Sequence, residues 1–480
     1  MKPFVIILSF LLIFLGKIYS QTAIDRFLSS SYMKGASASI MVKDILNETV
    51  LFSYDANREV IPASVMKLVT TATTLELLGE KFRYETKIMY DGVIKDSILE
   101  GNIYILGSGD PTTGSSEIGG NQHKLFHDWI KAIRVAGINA VSGSVIADES
   151  IFDTEGISMK ILREDMGSYY GQGSYGINIF DNRYTVFLQT GQPGMQPAIV
   201  RTEPYLPFMQ FHNYLTVNDS NRDSMYIFGF PFSNDRYLYG TIPSNRFEYQ
   251  QKGDIPDPPL FLAQYLTELL LKDSVKITGK PTCYRLLLQN GEWRNSERKT
   301  ITTTTSLPLK DLVHITNYKS HNLYADAFLK TISLLYGNEN EISCFHKGVK
   351  TVKGFWDEKG IDTSSLWMFD GCGLAVTDKV SASFLCDLLS YMHGQSPFSK
   401  SFIESLPRAG MEGTVTNFLR GSKLQGKARM KSGSMSRVRS FSGYVTIDNN
   451  IYAVAIIVNN FSCSQSQIRA DIERLFLSFF

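Results

Sequence analysis

After Pro62 the apolar positions fall at Val65, Leu68, Val69, Ala72, Leu75 and Leu78. Steps of three and four put them on one helical face, and Pro62 just ahead suits a helix start. Upstream, a short helix from Ala23 is expected, then two strand-like runs at 36–42 and 49–54. Asn47 and Glu48 between those runs supply turn chemistry, so the pair reads as a hairpin. The far end repeats the pattern: runs at 441–447 and 452–458 flank Asn449-Asn450, and a last helix covers about 465–479. From about 82 to 256 the character changes. Short apolar runs such as 102–106 and 184–188 sit among Gly, Asp, Asn and Pro, with one helical stretch near 124–136. That is β-rich, turn-rich sequence, expected as one or two inserted domains. Helical periodicity resumes at 259–271 and around 320–336.

A chain of 480 residues is too long for one core and implies two or three domains. A net charge of +1 gives no basic stripe and argues against a nucleic-acid partner. The N-terminus is distinctive: Lys2, then an apolar run through 5–15, then Gly16 to Ser20 with a small residue at the end. The run is shorter than the ~20 residues of a spanning helix. It reads as a cleaved secretory signal peptide over 1–20, with a retained membrane anchor as the alternative. No Cys follows it, which argues against a lipid anchor. The five cysteines are too few and too scattered for a disulfide framework, although export permits one pair; the expectation is mostly buried thiols. No Cys/His spacing suits a metal, and no metal or cofactor is expected.

Three short motifs carry the chemistry. Ser64 and Lys67 are i and i+3 on the predicted helix, so their side chains meet on one face, with Ser64 in the first turn where N–H groups are unpaired. A serine hydroxyl becomes a nucleophile when a base takes its proton, and a lysine serves if burial or nearby cations lower its pKa. Ser320-His321-Asn322 precedes a helical run: Ser320 offers a proton relay to a leaving amine, and Asn322 a hold on a substrate amide. Lys431-Ser432-Gly433-Ser434 precedes the terminal hairpin and is expected on an edge strand. There Lys431 adds positive potential, Ser432 binds a carboxylate, and Gly433 lets a substrate backbone come close. The N–H groups of Ser64 and Ser434 would form an oxyanion hole. Each motif alone is a helix cap or a basic turn; the three in this order point to acyl transfer.

With these residues in view the chain resembles the penicillin-interacting serine DD-peptidases, in particular the D-alanyl-D-alanine carboxypeptidase/endopeptidase family with a large insertion between the first two motifs. Residues 107–111, 370–374 and 406–414 look similar to that family as well. The resemblance implies an α+β catalytic domain, an antiparallel sheet with helices on both sides, formed by 21–82 and 257–480 and interrupted by a β-rich insertion at 83–256. It implies a periplasmic enzyme that acts on peptidoglycan stem peptides and is acylated by β-lactam antibiotics. Four positions depart from the family pattern: Cys372 for Ser, Val376 for Arg, Ser436 for Gln and His321 for Asp. Val376 and Ser436 leave the preference at the third stem-peptide residue open. Asp148 is read as a solvated turn carboxylate, with a reach into the site as the weaker alternative. The rival functions are a β-lactamase or esterase on the same motifs and a non-catalytic cell-wall-binding protein. The terminal apolar residues 475–480 are expected to pack on the sheet, with loose membrane association as the alternative.

Overall fold

The computed structural model describes residues 22–119, 122–337 and 341–480; the signal peptide expected at 1–20 lies outside them. The chain forms two compact units. The first comprises Met1–Lys81, Leu309–His321 and Gly348–Phe480, the second Phe82–Pro308 and Asn322–Lys347.

The first unit is built on an antiparallel five-stranded sheet in the order Thr49–Tyr54, Ser37–Asp44, Asn450–Asn459, Val438–Ile447, Ala428–Met435. Both expected hairpins form. The second turns one residue earlier than expected: Asp448 and Asn449 take φ of 46° and 67°, and Asn450 already pairs with Ile447. Asp and Asn tolerate left-handed backbone in a two-residue turn, which explains the shift. Alternation then sorts the faces. Ile40, Val42, Val454, Ile456 and Val458 share a core with Ile468, Ile472, Leu475 and Phe476 of the helix Gln465–Leu477. On the opposite face lies the helix Ala382–Gly394, where Tyr444 donates to the Leu389 carbonyl at 2.8 Å and Ala382 N–H to Ser39 Oγ at 3.0 Å. The sheet therefore has helices on both sides, as the resemblance implies. Phe479 packs on Phe52 at 4.6 Å between ring centroids and Phe480 on Tyr452 at 5.1 Å, so the terminal apolar residues cover the sheet. Among the described residues no helix is long and apolar enough to cross a membrane. The five cysteines form no disulfide among the described residues, and Cys283, Cys372 and Cys386 are buried.

The second unit holds a five-stranded sheet in the order Thr282–Cys283, Val145–Asp148, Ile103–Leu106, Glu85–Tyr90, Lys299–Thr305, together with several smaller sheets. It reaches beyond the expected boundary at 256, for two physical reasons. The helix Pro258–Lys272 buries Phe261, Leu262, Leu266 and Leu270 in the same core as Ile105, Val145 and Trp129. Residues 299–305, read from sequence as no particular element, close the sheet edge against Glu85–Tyr90, and Thr304 Oγ1 accepts the Trp129 indole N–H at 2.8 Å. The helix Asn322–Tyr336 belongs to this unit too: Lys330, fully buried, donates to the carbonyls of Glu155 and Ser174 at 2.5 and 2.9 Å. Asp148 is not the solvated turn carboxylate expected. It is buried at the end of its strand and paired with Arg298 at 2.5 Å, while Arg298 lies 3.9 Å from the Tyr104 ring centroid. Its partner lies 150 residues along the chain, beyond the reach of a local reading.

Candidate active site

Ser64 sits in the 3₁₀ turn Ala63–Val65 that leads into the α-helix Met66–Leu78. The expected single apolar face is too narrow a description, because all ten residues from Met66 to Leu75 are buried. The threonines on the other faces satisfy their hydroxyls on the helix itself: Thr71, Thr73 and Thr74 donate to the carbonyls four residues back at 2.6, 2.8 and 2.6 Å. A buried helix holds its side chains in fixed rotamers, which suits a catalytic platform. Ala63, just before Ser64, has φ of 50°. Left-handed backbone is costly for a residue with a Cβ, and strain of this kind concentrates at functional sites.

Lys67 is fully buried and its Nζ donates to Ser64 Oγ at 3.0 Å and to the Cys372 carbonyl at 2.7 Å. The i, i+3 pairing read from sequence is thus formed. Ser320 follows the helix Leu309–Lys319, whose Leu309, Leu312 and Val313 are buried. The helix expected from about 320 to 336 begins at Asn322, and the chain turns at Ser320, which takes φ of 59° while His321 N–H closes back on the Thr316 carbonyl at 3.1 Å. That is a left-handed helix ending. The helix is tied to the helix Met66–Leu78 by Asn317, whose Nδ2 donates to Thr71 Oγ1 at 3.2 Å and to Ser405 Oγ at 2.8 Å.

Lys431 lies on the edge strand Ala428–Met435, as expected. Its ammonium donates to Ser320 Oγ at 2.9 Å and to the Ser432 carbonyl at 2.8 Å. Burial, followed by the positive charges of Lys67 and Arg439, holds Lys431 well below the ordinary lysine value. Ser432 donates to Thr414 Oγ1 at 2.9 Å, while Ser434 is exposed beside it. Gly433 has no room for a side chain: a Cβ there would lie 2.3 Å from Ser440 Oγ, 2.7 Å from the Pro62 carbonyl and 2.9 Å from Ser64 N. Ser440 Oγ itself donates to the Pro62 carbonyl at 2.6 Å, pinning the turn Ala63–Val65 to the sheet. Ser64, Lys67, Ser320, Lys431, Ser432, Gly433 and Ser434 all belong to the first unit. Asn322, two residues after Ser320, opens the helix Asn322–Tyr336 of the second unit and donates from Nδ2 to the Tyr170 carbonyl at 2.7 Å.

Three residues at this site were not assigned a role from the sequence. Thr414 provides the hydroxyl beside Ser432, Ser440 anchors the turn through the Pro62 carbonyl, and Asp370 organises the loop that carries the Cys372 carbonyl. An Asp followed by two glycines within three residues is a turn signature, but nothing local says which helix the turn faces. Chemically, the arrangement joins a serine and a buried amine to a second serine and a second buried amine. That is equipment for moving a proton onto and off an attacking oxygen.

A family model described as D-Ala-D-Ala carboxypeptidase 3 (S13) matches residues 20–476. The D-alanyl-D-alanine carboxypeptidase of Actinomadura sp. (strain R39) is 25% identical over 452 residues, covering 92% of this chain and 80% of the relative. The D-alanyl-D-alanine carboxypeptidase DacB of Haemophilus influenzae is 20% identical over 422 residues, covering 87% and 84%. The crystal structure of penicillin binding protein 4 (dacB) from the same organism superposes with a TM-score of 0.79 at 20% identity, covering 92% of this chain and 95% of that one. That protein has also been solved in complex with a β-lactam, with a TM-score of 0.73 to this chain.

Proposed function

The chain belongs to the D-Ala-D-Ala carboxypeptidase 3 (S13) family, and from that premise we propose that Ser64 is the nucleophile of an exported serine DD-carboxypeptidase, one that also has DD-endopeptidase capacity on cross-linked peptidoglycan. The observation that carries the reading is the buried Lys67 amine 3.0 Å from Ser64 Oγ, with a second buried amine 2.9 Å from Ser320 Oγ. Lys67 takes the Ser64 proton as Oγ attacks the carbonyl between two D-alanines. The N–H groups of Ser64 and Ser434 hold the oxygen that becomes negative. The C–N bond then breaks, and Ser320, polarised by Lys431, passes a proton to the departing D-alanine. Water hydrolyses the remaining ester. Ser432 and Thr414 bind the terminal carboxylate, Gly433 lets the substrate backbone lie along the edge strand, and Asn322 holds the substrate amide. A β-lactam presents an amide and a carboxylate in the same relation and acylates Ser64 by the same steps. Residues 1–20 direct the chain to the periplasm, where its stem-peptide substrates lie.

The test is release of free D-alanine from a synthetic stem pentapeptide ending in D-Ala-D-Ala. The expected result is one equivalent of D-alanine per peptide with the tetrapeptide as co-product. Intact pentapeptide, together with catalytic turnover of benzylpenicillin to penicilloate, would instead identify a β-lactamase.

A further inference from the structure

The loop 370–375 is held together by the side chain of its first residue. Asp370 is fully buried. One of its carboxylate oxygens accepts the N–H groups of Cys372 and Gly373 at 3.1 and 2.6 Å, and the other those of Leu374 and Ala375 at 3.0 and 2.7 Å. Four backbone donors on one side chain fix the peptide planes of the loop, because each hydrogen bond is directional. The loop then presents three successive residues to one face of the nucleophile segment. Gly371 O accepts from Thr70 Oγ1 at 2.6 Å, and Cys372 O accepts from Lys67 Nζ at 2.7 Å. At Gly373, with φ of 79°, a Cβ would sit 2.1 Å from the Ala63 carbonyl, so only glycine permits the approach. Lys67 and Thr70 are i and i+3 on the helix Met66–Leu78, and Ala63 lies in the turn that leads into it.

We propose that Asp370 is a positioning residue for acyl transfer: through the loop it fixes the Cys372 carbonyl, and that carbonyl aims the Lys67 amine at Ser64 Oγ. A lysine amine sits on a four-carbon stem with three rotatable donors. With one N–H committed to Cys372 O, the nitrogen is held within hydrogen-bond distance of the serine oxygen, in reach of the proton it must take. Thr70 is the second anchor of the same loop, on the carbonyl one residue earlier. The inference rests on the reading of Ser64 and Lys67 as nucleophile and base.

Its test is the acylation of the full mature chain by benzylpenicillin. The saturating rate and the dissociation constant of the preceding complex are measured separately, alongside Tm, for the wild type, Asp370→Asn, Thr70→Val and Thr70→Ser. Asp370→Asn turns two N–H groups of its own amide toward backbone donors. It is expected to lower the saturating rate by about 100-fold, the scale of an ångström-level misplacement, with the dissociation constant little changed. Thr70→Val keeps the shape but removes the donor, and is expected to slow acylation about 10-fold. Thr70→Ser restores the donor at the expense of a buried methyl, and is expected to acylate within about 3-fold of wild type even where its Tm falls as far as that of Thr70→Val. A merely structural loop would instead make both Thr70 variants slow in proportion to their loss of Tm, and that result overturns the proposal, as does a folded Asp370→Asn protein acylated at the wild-type rate. If Asp370→Asn does not fold, the Thr70 pair decides. A wild type that takes no adduct overturns the nucleophile reading and this inference with it. A normal wild-type rate with equal Thr70 variants overturns this inference alone.

Discussion

Ser64→Ala is expected to lose D-alanine release and benzylpenicillin acylation together, with a fall in turnover of about 10⁴-fold or more, as for removal of the nucleophile in other serine peptidases. The loss is chemical rather than structural. Ser64 Oγ accepts a hydrogen bond from Lys67 Nζ, and one such bond contributes about 1 kcal/mol to stability. Alanine at the entry of a helix costs nothing in propensity. The far-UV spectrum should therefore be unchanged and Tm should stay within a few degrees. The pairing matters for interpretation: a variant that loses activity and Tm together would speak to folding, whereas loss of activity alone speaks to the oxygen. Turnover by Ser64→Ala near the wild-type level would end the assignment.

Gly433→Ala carries the second largest expected effect, and it is a test of geometry rather than of a functional group. The strand Ala428–Met435 meets the nucleophile turn with no gap at Gly433, where an added Cβ would lie under 3 Å from Ser440 Oγ, the Pro62 carbonyl and Ser64 N. Two of those three atoms are backbone, and Ser440 is held by its bond to Pro62. The conflict is relieved only by moving the edge strand away from the turn. Overpacking of this kind costs about 1–3 kcal/mol of stability. The greater consequence is at the reaction, because Ser64 N and Ser434 N are the donors proposed for the developing oxyanion, and loss of one such donor costs about 10²–10³ in rate. The expected result is a folded protein, a few degrees less stable, with acylation slowed by about that factor. Acylation at the wild-type rate would show that the edge strand does not set the oxyanion site.

The elements that position the site were legible in the sequence where their signal is local. Ser64 and Lys67 lie three apart on a helix with a clear apolar repeat, and Lys431 lies in a run that precedes a strong hairpin. The two halves of the sheet, from opposite ends of the chain, were each readable as hairpins. What was not legible was every partnership made at long range. Asp148 finds Arg298, and the helix Pro258–Lys272 finds the core of the second unit, because pairing and packing are decided by the whole fold and leave no mark in a short window. The helix Leu309–Lys319 ahead of Ser320 received no assignment, because its left-handed end is carried by a serine where glycine would have advertised it. Thr414 and Asp370 look like ordinary turn residues until the strand and helix they serve are placed beside them.

The most direct test of the central claim is the intact mass of the mature protein after incubation with benzylpenicillin, with peptide mapping of the adduct. The account predicts a persistent mass increase of one penicilloyl group, located on Ser64 and absent from Ser64→Ala. An unmodified protein, whether the drug is left intact or turned over to penicilloate, would contradict it.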